Sequence, residues 1–558
     1  MNMLPSGMRA GMLAAFLTAC LTLPSFAQSF VHPGITLDRS DLDLIKWQVA
    51  ESLQPQTDAW TQLQLNPVAS LTYVHHARAV VECDQDTCGG FLTDANALWA
   101  DALQWYVTGD VRYAQKTIEI MNAWSSQLTV IRTMDGVYSR QHYLCTAWAG
   151  HHFAEAAEII RNTYTGWAAA DITQYETMLK TKFYPNLPSN TYENGNWEAS
   201  IINSILAIGI FTNDRTVFDR GVAMFRGTGR GAIGVYVYAS GECQETCRDQ
   251  VHVQVGLGEL MESAEMAWKQ GVDLYSELPD AATGLPRLAL GMEYTAKVLC
   301  GIPQPCSCGT VSAPNSSLQH IWEVGYNHYH NRVGFPMTYS ELIALEDRPA
   351  GAAGHAFAAF QTVTHGGGLI LNDSFTGQTT GALPARWTVT NQSGTTCTIQ
   401  PVSSNQALRF TDVTTTGRSY ATRTFPAQSG QITARWKFKQ LAAANRLSVS
   451  LRNGGTVAMT LLITDTLVQG GTIPYGLVYR NAAGQDISLG QPTPAATWYE
   501  VTVVARPSSG NADIYVNGVL KAANVPFQAT STSLDRILLL TDAVSTGTVY
   551  FDDVFVSR

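Results

Sequence analysis

The sequence has 558 residues, of which 45% are hydrophobic, and it carries a formal net charge of -10. This length exceeds a single ordinary core, so two folded domains are expected, and the hydrophobic content excludes a largely disordered chain. The negative charge disfavours nucleic acid as a partner. If the substrate is itself anionic, the cationic side chains that bind it must be concentrated in a cleft.

The N-terminus has the pattern of a secretory signal peptide. An apolar run follows Arg9, and a small residue stands at Ala27, where a signal peptidase cleaves. We therefore predict a signal peptide over residues 1–27, a mature chain from Gln28, and a secreted or periplasmic location. Cleavage before Cys20, which would give a lipoprotein, is the less favoured alternative. No other segment is apolar enough to predict a membrane span.

Nine cysteines follow Cys20, and several stand close together in the sequence. The groups are Cys83 with Cys88, Cys243 with Cys247, and Cys300 with Cys306 and Cys308. Such groups indicate short disulfide loops in an oxidising compartment, while the connectivity stays open and the odd number leaves at least one free thiol. Zinc binding is a less favoured alternative, because no paired C-x-x-C units occur.

The chain up to residue 365 has the pattern of a helical domain. Leu98, Ala102 and Trp105 share one face of a helix, and Gly109 separates this helix from a second one that runs through Trp124. Further helices are predicted at 147–161, 171–180, 197–210, 214–225, 251–270 and 287–299. Successive antiparallel pairs predict an all-α (α/α) toroid or incomplete barrel over residues 28–365. All twelve histidines lie in this part, so chemistry near neutral pH is expected there.

The sequence changes character at the glycine-rich segment 364–368. Alternating stretches such as 432–438 predict strands, and Asn517-Gly518 predicts a tight hairpin. We predict an antiparallel, jelly-roll-like β-sandwich of carbohydrate-binding type over residues 369–558. Asp373 and Asp553 would be neighbours if the first and last strands pair. Their carboxylates are therefore candidates for a structural calcium site.

Arg287 and Tyr294 stand seven residues apart in a predicted helix. This spacing is about two turns, so both side chains project from nearly the same side, about 10 Å apart along the axis. A cation and a phenol are therefore predicted to line one cleft.

This pair resembles one in the alginate-lyase-type toroid lyases, such as polysaccharide lyase families five and thirty-eight, where an Arg and a Tyr at this spacing work with an Asn and a His. The matching residues here are Asn196, which precedes Trp197, and His252. Residues 322–329 and 106–110 resemble further signatures of the family. The resemblance covers roughly residues 30–365, although some members place the Asn and the His side by side and this chain separates them.

The resemblance implies a secreted lyase that cleaves 1,4-linked uronic-acid polymers, such as polymannuronate or glucuronan, by β-elimination. Asn196 and Arg287 would stabilise the negative charge on the substrate carboxylate, and Tyr294 would transfer the proton. His252 would neutralise charge or serve as the alternative base. A cation beside Tyr294 would lower the pKa of its phenol. No cofactor is expected, and no metal in the helical domain.

Two groups of polar and aromatic residues are predicted to bind sugar rings and carboxylates, although solvated loops are an equal alternative. They are Arg140, His142 and Tyr143, and His328 with Tyr329; Trp197 is a further candidate for substrate binding.

Two other classes of function stay open. A glycoside hydrolase on a helical toroid would need two carboxyl groups across a cleft, and Glu193, Glu198 and Asp249 are available. A non-catalytic carbohydrate-binding protein would not explain why the histidines are concentrated in one domain. Elimination would be distinguished from hydrolysis by an ultraviolet-absorbing unsaturated product.

Overall fold

The computed structural model describes residues 29–84, 88, 90–134, 140–311, 317–351, 359–402, 405–441, 447–464, 476–541 and 546–558. The predicted signal peptide, with Cys20, lies outside these residues. None of the helices described is long and apolar enough to cross a membrane.

The N-terminal domain is helical, and every helix predicted from the sequence is confirmed, with ends that shift by up to six residues. The helices are α1 (Arg39–Ala50), α2 (Gln56–Leu65), α3 (Phe91–Thr108), α4 (Val111–Gln127), α5 (Gln141–Thr163), α6 (Ala169–Met178), α7 (Gly195–Phe211), α8 (Arg215–Arg226), α9 (Ile233–Tyr236), α10 (Gln250–Lys269), α11 (Arg287–Leu299), α12 (Trp322–Tyr326), α13 (Thr338–Asp347) and α14 (Gln361–His365). The break between α3 and α4 is built from Gly109, whose left-handed φ of 71° ends α3, and Asp110, whose side chain caps α4.

The helices form a closed ring. Helices α5, α7 and α10 are buried along nearly their whole length, whereas α4 and α8 bury one face. Helix α3 packs on α5, α5 on α7, α7 on α10, α10 on α12 and α12 on α14, which returns to α1 and α2. This arrangement is the inner ring of an (α/α) toroid, so the predicted helical fold is confirmed.

Two small two-stranded sheets lie outside the helices of the ring. Strand β1 (Val80–Cys83) pairs in parallel with β2 (Val130–Thr133), and β3 (Gln304–Cys306) forms a hairpin with β4 (Gly309–Val311). Two disulfides lie beside them, Cys88–Cys145 and Cys247–Cys308. The expectation of short disulfide loops is therefore wrong, because each bond joins segments that are distant in sequence and brought together by the ring.

The C-terminal domain is an antiparallel β-sandwich, as predicted. Its strands are β5 (Leu369–Asp373), β6 (Thr388–Asn391), β7 (Thr395–Val402), β8 (Asn405–Asp412), β9 (Ser419–Gln428), β10 (Ile432–Gln440), β11 (Leu447–Asn453), β12 (Thr456–Thr464), β13 (Gly476–Arg480), β14 (Asp486–Pro492), β15 (Tyr499–Arg506), β16 (Asn511–Val516), β17 (Val519–Pro526), β18 (Leu534–Thr541) and β19 (Gly547–Ser557). One sheet has the order β17-β16-β15-β10-β19-β8-β7, with β5 also on β19, and the other β14-β13-β12-β11-β18-β9-β6. Alternate residues of the strands fill the apolar space between the sheets.

Helix α1 ties the two domains together. Leu44 projects from α1 into the hydrophobic core of the sandwich, and Trp47 Nε1 donates a hydrogen bond to the Ile370 carbonyl at 2.8 Å. Arg558, which directly follows β19, forms an ion pair with Asp41 of α1. The boundary at the glycine-rich segment is thus bridged by contacts from the first helix.

The first and last strands of the sandwich pair, with Val554 opposite Asp373. The Asp373 carboxylate accepts hydrogen bonds from Trp387 Nε1 at 2.8 Å and from the Phe375 backbone at 2.9 Å, while Asp553 forms a 2.8 Å ion pair with Lys437. Protein groups thus already engage both carboxylates, and calcium at this place stays a prediction.

Candidate active site

The candidate site lies where three neighbouring inner helices begin. Helix α5 starts at Gln141, α7 at Gly195 and α10 at Gln250. The segments before these helices contact one another, so the three helix N-termini meet on one side of the ring. Because free backbone N–H groups and the positive end of the helix dipole are found at helix N-termini, this side suits an anionic ligand.

Asn196 and Glu245 form the buried floor of the site. Asn196 Nδ2 donates to both carboxylate oxygens of Glu245, at 2.8 and 2.7 Å, and its backbone N–H donates to the same group at 3.2 Å. Arg248 Nη1 lies 3.0 Å from Glu245 Oε1, and its side chain is 45% exposed. Asn196 and Glu245 therefore hold a cation at the surface of the cleft.

His252 stands beside this cation and is held by Asp249. Its Nδ1 lies 2.7 Å from Asp249 Oδ2, and the same carboxylate accepts the His252 backbone N–H at 2.9 Å as the cap of α10. The His252 side chain is 35% exposed. Hydrogen bonds from the His252 backbone and ring keep the pKa of Asp249 low in spite of partial burial. A carboxylate on Nδ1 fixes the tautomer that leaves Nε2 unprotonated and able to accept a proton.

A buried tyrosine joins the two motifs. The Tyr236 hydroxyl lies 3.0 Å from the His252 carbonyl and 3.4 Å from Glu245 Oε2. Burial, followed by the charge of Glu245, raises the pKa of this phenol, so it serves as a neutral hydrogen-bond donor. Asn196 and His252, which are 56 residues apart in sequence, are thus close together in the helical domain.

The predicted sugar-binding residues at the start of α5 extend the site. Arg140 Nη1 lies 3.0 Å from Glu193 Oε1 and donates to the Thr191 carbonyl, and its guanidinium lies 5.4 Å from the centre of the Tyr192 ring. His142 Nδ1 is 2.6 Å from Thr133 Oγ1. Burial lowers the pKa of His142. Segment 191–196 therefore connects this group with Asn196.

Two aromatic side chains of the same prediction are partly exposed at this side. Tyr143 stacks at an angle on His142, with ring centres 4.2 Å apart, and Trp197 follows Asn196 in the first turn of α7. Exposed rings beside cations are suited to contact sugar rings.

Arg287 and Tyr294 share a side of α11, as their spacing predicts. Arg287 Nη1 donates to the Val237 carbonyl at 3.2 Å, and Tyr294 packs beside Gly241 of the same loop. The Tyr294 hydroxyl, however, donates to the Pro305 carbonyl at 2.8 Å, and the residue is only 6% exposed. Burial, followed by the charge of Glu242, raises the pKa of Tyr294. The predicted lowering by a cation is wrong.

The predicted sugar contacts of His328 and Tyr329 do not fit the structure. Both residues lie in the core, 3% and 1% exposed, because the chain continues from α12 into a π-helical turn that directs them inward. His328 stacks on Tyr275 with ring centres 3.6 Å apart, and the Tyr329 hydroxyl donates to the Tyr275 carbonyl. No substrate ring can reach them.

The sequence reasoning did not identify Glu245, Arg248 or Tyr236 as site residues. A signal for one of them was present, since Glu245 and His252 are seven residues apart, the same spacing that drew attention to Arg287 and Tyr294. What hid them is that Glu245 and Arg248 lie in the turn before α10, where helical periodicity gives no information about direction.

Comparison with known protein families finds one match, in the helical domain. Residues 52–290 match the family model described as alginate lyase, which covers less than half of the chain and includes Arg140, Asn196, His252 and Arg287 but not Tyr294. No curated protein sequence matches the chain.

Solved structures give further similarities. An alginate lyase from Bacteroides ovatus is 11% identical, with 60% of this chain and 99% of that chain covered and a TM-score of 0.43. Alginate lyase A1-III from Sphingomonas species A1 is 13% identical, with 60% and 97% covered and a TM-score of 0.42. A sialidase is 14% identical, with a TM-score of 0.29; the similarity covers 34% of this chain and 19% of the sialidase.

Proposed function

We propose that the alginate-lyase-type polysaccharide lyase domain of this chain cleaves a 1,4-linked uronic-acid polymer by β-elimination, with His252 as the base. The observation that carries the proposal is the His252–Asp249 pair beside Arg248, at the side of the ring where three inner helices begin. A polymer of mannuronate or glucuronate, in a secreted or periplasmic setting, is the substrate class that we infer.

The first step asked of the site is removal of the C5 proton. His252 Nε2 is the available acceptor, because Nδ1 is engaged by Asp249. Asp249 then stabilises the imidazolium that forms. In mannuronate or glucuronate the C5 proton and the leaving O4 are on one face, so the same imidazolium can return the proton to O4. The bond to O4 breaks as the C4–C5 double bond forms.

The second requirement is a positive charge against the substrate carboxylate, where negative charge develops. Arg248 is the nearest exposed cation to His252 along the chain, and Arg140 lies across the entrance of α5. Asn196 acts one step removed: its amide binds Glu245, which in turn orients Arg248. We therefore assign Asn196 a positioning role. The side chains supply base and cation, so we propose that no cofactor takes part in the elimination.

Charge distribution supports an anionic polymer. Residues 369–558 contain 14 Lys and Arg against 10 Asp and Glu, a net charge of +4, while the preceding residues contain 21 against 35. The sandwich is thus the basic part of an acidic protein, and it can hold an anionic chain near the cleft. Within the acidic helical domain, cations must be local, as Arg140 and Arg248 are.

Hydrolysis is the second candidate, and the carboxyl groups do not favour it. A glycosidase needs one carboxylic acid with a raised pKa. Glu198 is buried and accepts the Gly231 backbone N–H at 2.8 Å, Glu193 is paired with Arg140, and the pKa of Asp249 is lowered. None of the three is placed as a general acid.

The test compares His252→Ala with Tyr294→Phe on polymannuronate, polyguluronate and glucuronan, following the ultraviolet absorbance of unsaturated uronate ends. His252→Ala should lower turnover by about 100- to 10,000-fold, because the proton acceptor is lost. Tyr294→Phe should change turnover less than about threefold, since the hydroxyl is engaged by a backbone carbonyl inside the protein.

Thermal unfolding of both variants serves as the control for folding. Loss of turnover in Tyr294→Phe with full activity in His252→Ala would reverse the assignment of the base. Reducing ends without ultraviolet absorbance from the wild-type protein would instead indicate hydrolysis.

A further inference from the structure

Four ionisable side chains meet inside the helical ring, away from the candidate cleft. His151, His152 and Glu155 lie on α5, and Glu262 lies on the neighbouring α10. Their exposed fractions are between 0% and 4%. His151 follows His142 by nine residues, so this His–Glu cluster lies about 14 Å along the helix from the cleft.

The cluster has the dimensions of a metal site. One ring nitrogen of His151, one of His152 and a carboxylate oxygen of Glu155 lie within 4.8 Å of one another. His152 Nδ1 is 3.3 Å from Glu155 Oε2, and His151 Nε2 is 3.8 Å from Glu262 Oε2. Ligands about 2.0–2.1 Å from a tetrahedral zinc ion lie about 3.3 Å apart, so small side-chain movements bring the three residues of α5 into contact with one ion, and Glu262, beside His151, is the candidate for the fourth ligand.

The histidines have unmet hydrogen-bonding capacity. Among the described residues, neither ring nitrogen of His151 makes a hydrogen bond of normal geometry, although the Ala147 backbone carbonyl lies near the ring, and Nε2 of His152 has no partner. Buried polar atoms without partners are rare and costly in folded proteins.

The two carboxylates also lack a cation. In the part of the chain that the structure describes, no Lys or Arg forms an ion pair with Glu155 or Glu262. Glu265, one turn further along α10 and equally buried, shows the usual solution: it binds Arg332 through both oxygens, at 2.7 and 2.8 Å, and lies 3.5 Å from Lys269. Two buried carboxylates without such partners must be neutralised, either by protons or by a bound cation.

Neighbouring groups contact and orient three of the four side chains. Asn203 Nδ2 donates to Glu262 Oε2 at 2.9 Å, and the Thr36 hydroxyl donates to Glu155. The Trp99 ring is nearly parallel to His152, with centres 5.8 Å apart. Hydrogen bonds to carboxylate ligands are typical of built metal sites.

We propose that His151, His152, Glu155 and Glu262 bind one divalent transition-metal ion inside the toroid, with zinc the best match to two imidazoles and two carboxylates. The charges of a divalent cation and two carboxylates cancel, so the buried cluster becomes neutral. The ion joins α5 to α10 across α7 and supports the ring on which the cleft is built. This structural site departs from the expectation of a metal-free helical domain and does not depend on the proposed reaction.

The test is elemental analysis of the full chain, purified without chelator or metal-affinity resin from cells supplied with zinc, manganese and iron. We expect about one metal ion per chain. Glu262→Gln and His151→Asn should each lower this ratio at least fivefold. His320→Gln, a histidine outside the cluster that is paired with Asp347, should leave it unchanged. Loss of metal only on changing Cys306 or Cys308 would overturn the assignment.

A second measurement covers variants that fail to fold. Wild-type protein is unfolded in denaturant with a chelator, refolded without metal, and its unfolding temperature is recorded with and without added zinc. Zinc should raise the unfolding temperature by several degrees. Fewer than about 0.1 ions per chain in the native protein, with no rise on adding zinc, would refute the site and indicate that protons neutralise the carboxylates.

Discussion

The two domains bury their polar groups in different ways. The interior of the helical ring contains ionisable groups, including Glu155, Glu262, Glu265 and His151, whereas the space between the sheets is filled almost entirely by alternate apolar residues of the strands. The cause is geometric. Inner helices are buried all round, so polar side chains on any face must find partners inside, while a strand in a sandwich turns every second side chain to solvent.

Because of this difference, the ring can provide reactive groups, whereas the sandwich provides support. Groups that need partners inside a ring can also be placed at the ring's mouth, as Asn196 and Glu245 are, to orient a reactive side chain. The sandwich has no histidine and contributes a basic, rigid support. Three measurements can sharpen this comparison.

The largest expected effect comes from breaking a buried ion pair in the ring. Arg332→Met removes the bidentate partner of Glu265 and leaves the buried carboxylate with Lys269 at 3.5 Å and the Tyr275 hydroxyl at 2.9 Å. We expect a loss of about 3–5 kcal/mol in the free energy of unfolding, measured with denaturant. Arg435→Met, on the exposed face of the sandwich over Phe555, should cost less than about 1 kcal/mol. Equal losses would mean that the contrast in burial has no energetic content.

Two leucines in one helix offer a matched pair. Leu42 packs in the core of the ring and Leu44, two residues later in α1, packs in the core of the sandwich. Each Leu→Ala substitution should cost about 2–4 kcal/mol, from lost burial and the cavity left behind. Differential scanning calorimetry should show Leu42→Ala destabilising the helical domain and Leu44→Ala the sandwich. Identical single transitions in both variants would show instead that the domains unfold as one unit.

The smallest effect is a pH dependence confined to the ring. His320 Nδ1 lies 2.7 Å from Asp347 Oδ1, and this hydrogen bond raises the pKa of His320 above its unfolded value of 6.5. Its stabilisation is therefore complete below about pH 6.5 and is lost as the pH rises through the folded pKa. The stability difference between wild type and His320→Gln, under about 1 kcal/mol because the ring is one-third exposed, should shrink between pH 7 and 8.5.

The sandwich provides the control for that measurement. One of its acids, Asp552, has a pKa raised to about 6, mainly by burial, so its titration is almost complete by pH 7. The unfolding transition of the sandwich should therefore be nearly constant from pH 7 to 8.5. A pH-dependent sandwich in this range would indicate that the domains are coupled through α1.

The order of residues was enough to predict a helical part followed by a β-sandwich, the helices between α3 and α11 other than the short α9, and several of the strands. Apolar periodicity, Gly109 and the Asn517-Gly518 turn are local signals, and the structure confirms each element that they predicted. The sequence also indicated Asn196 and His252 as site residues, through their resemblance to a lyase motif. These predictions succeeded because a helix or strand that buries one face has apolar residues at a regular spacing along the sequence.

Which side chains meet depends on how the chain closes in three dimensions, and the order of residues did not predict it. The turn before α10 places Glu245 on Asn196, the disulfides join distant segments, and the π-helical turn directs His328 and Tyr329 into the core. Direction in turns depends on backbone dihedral angles that no periodicity records. The hydroxyl of Tyr294 likewise depends on the Pro305 carbonyl from a separate hairpin. Sequence spacing fixes which face of a helix a residue is on, whereas the partner on that face comes from the closure of the ring.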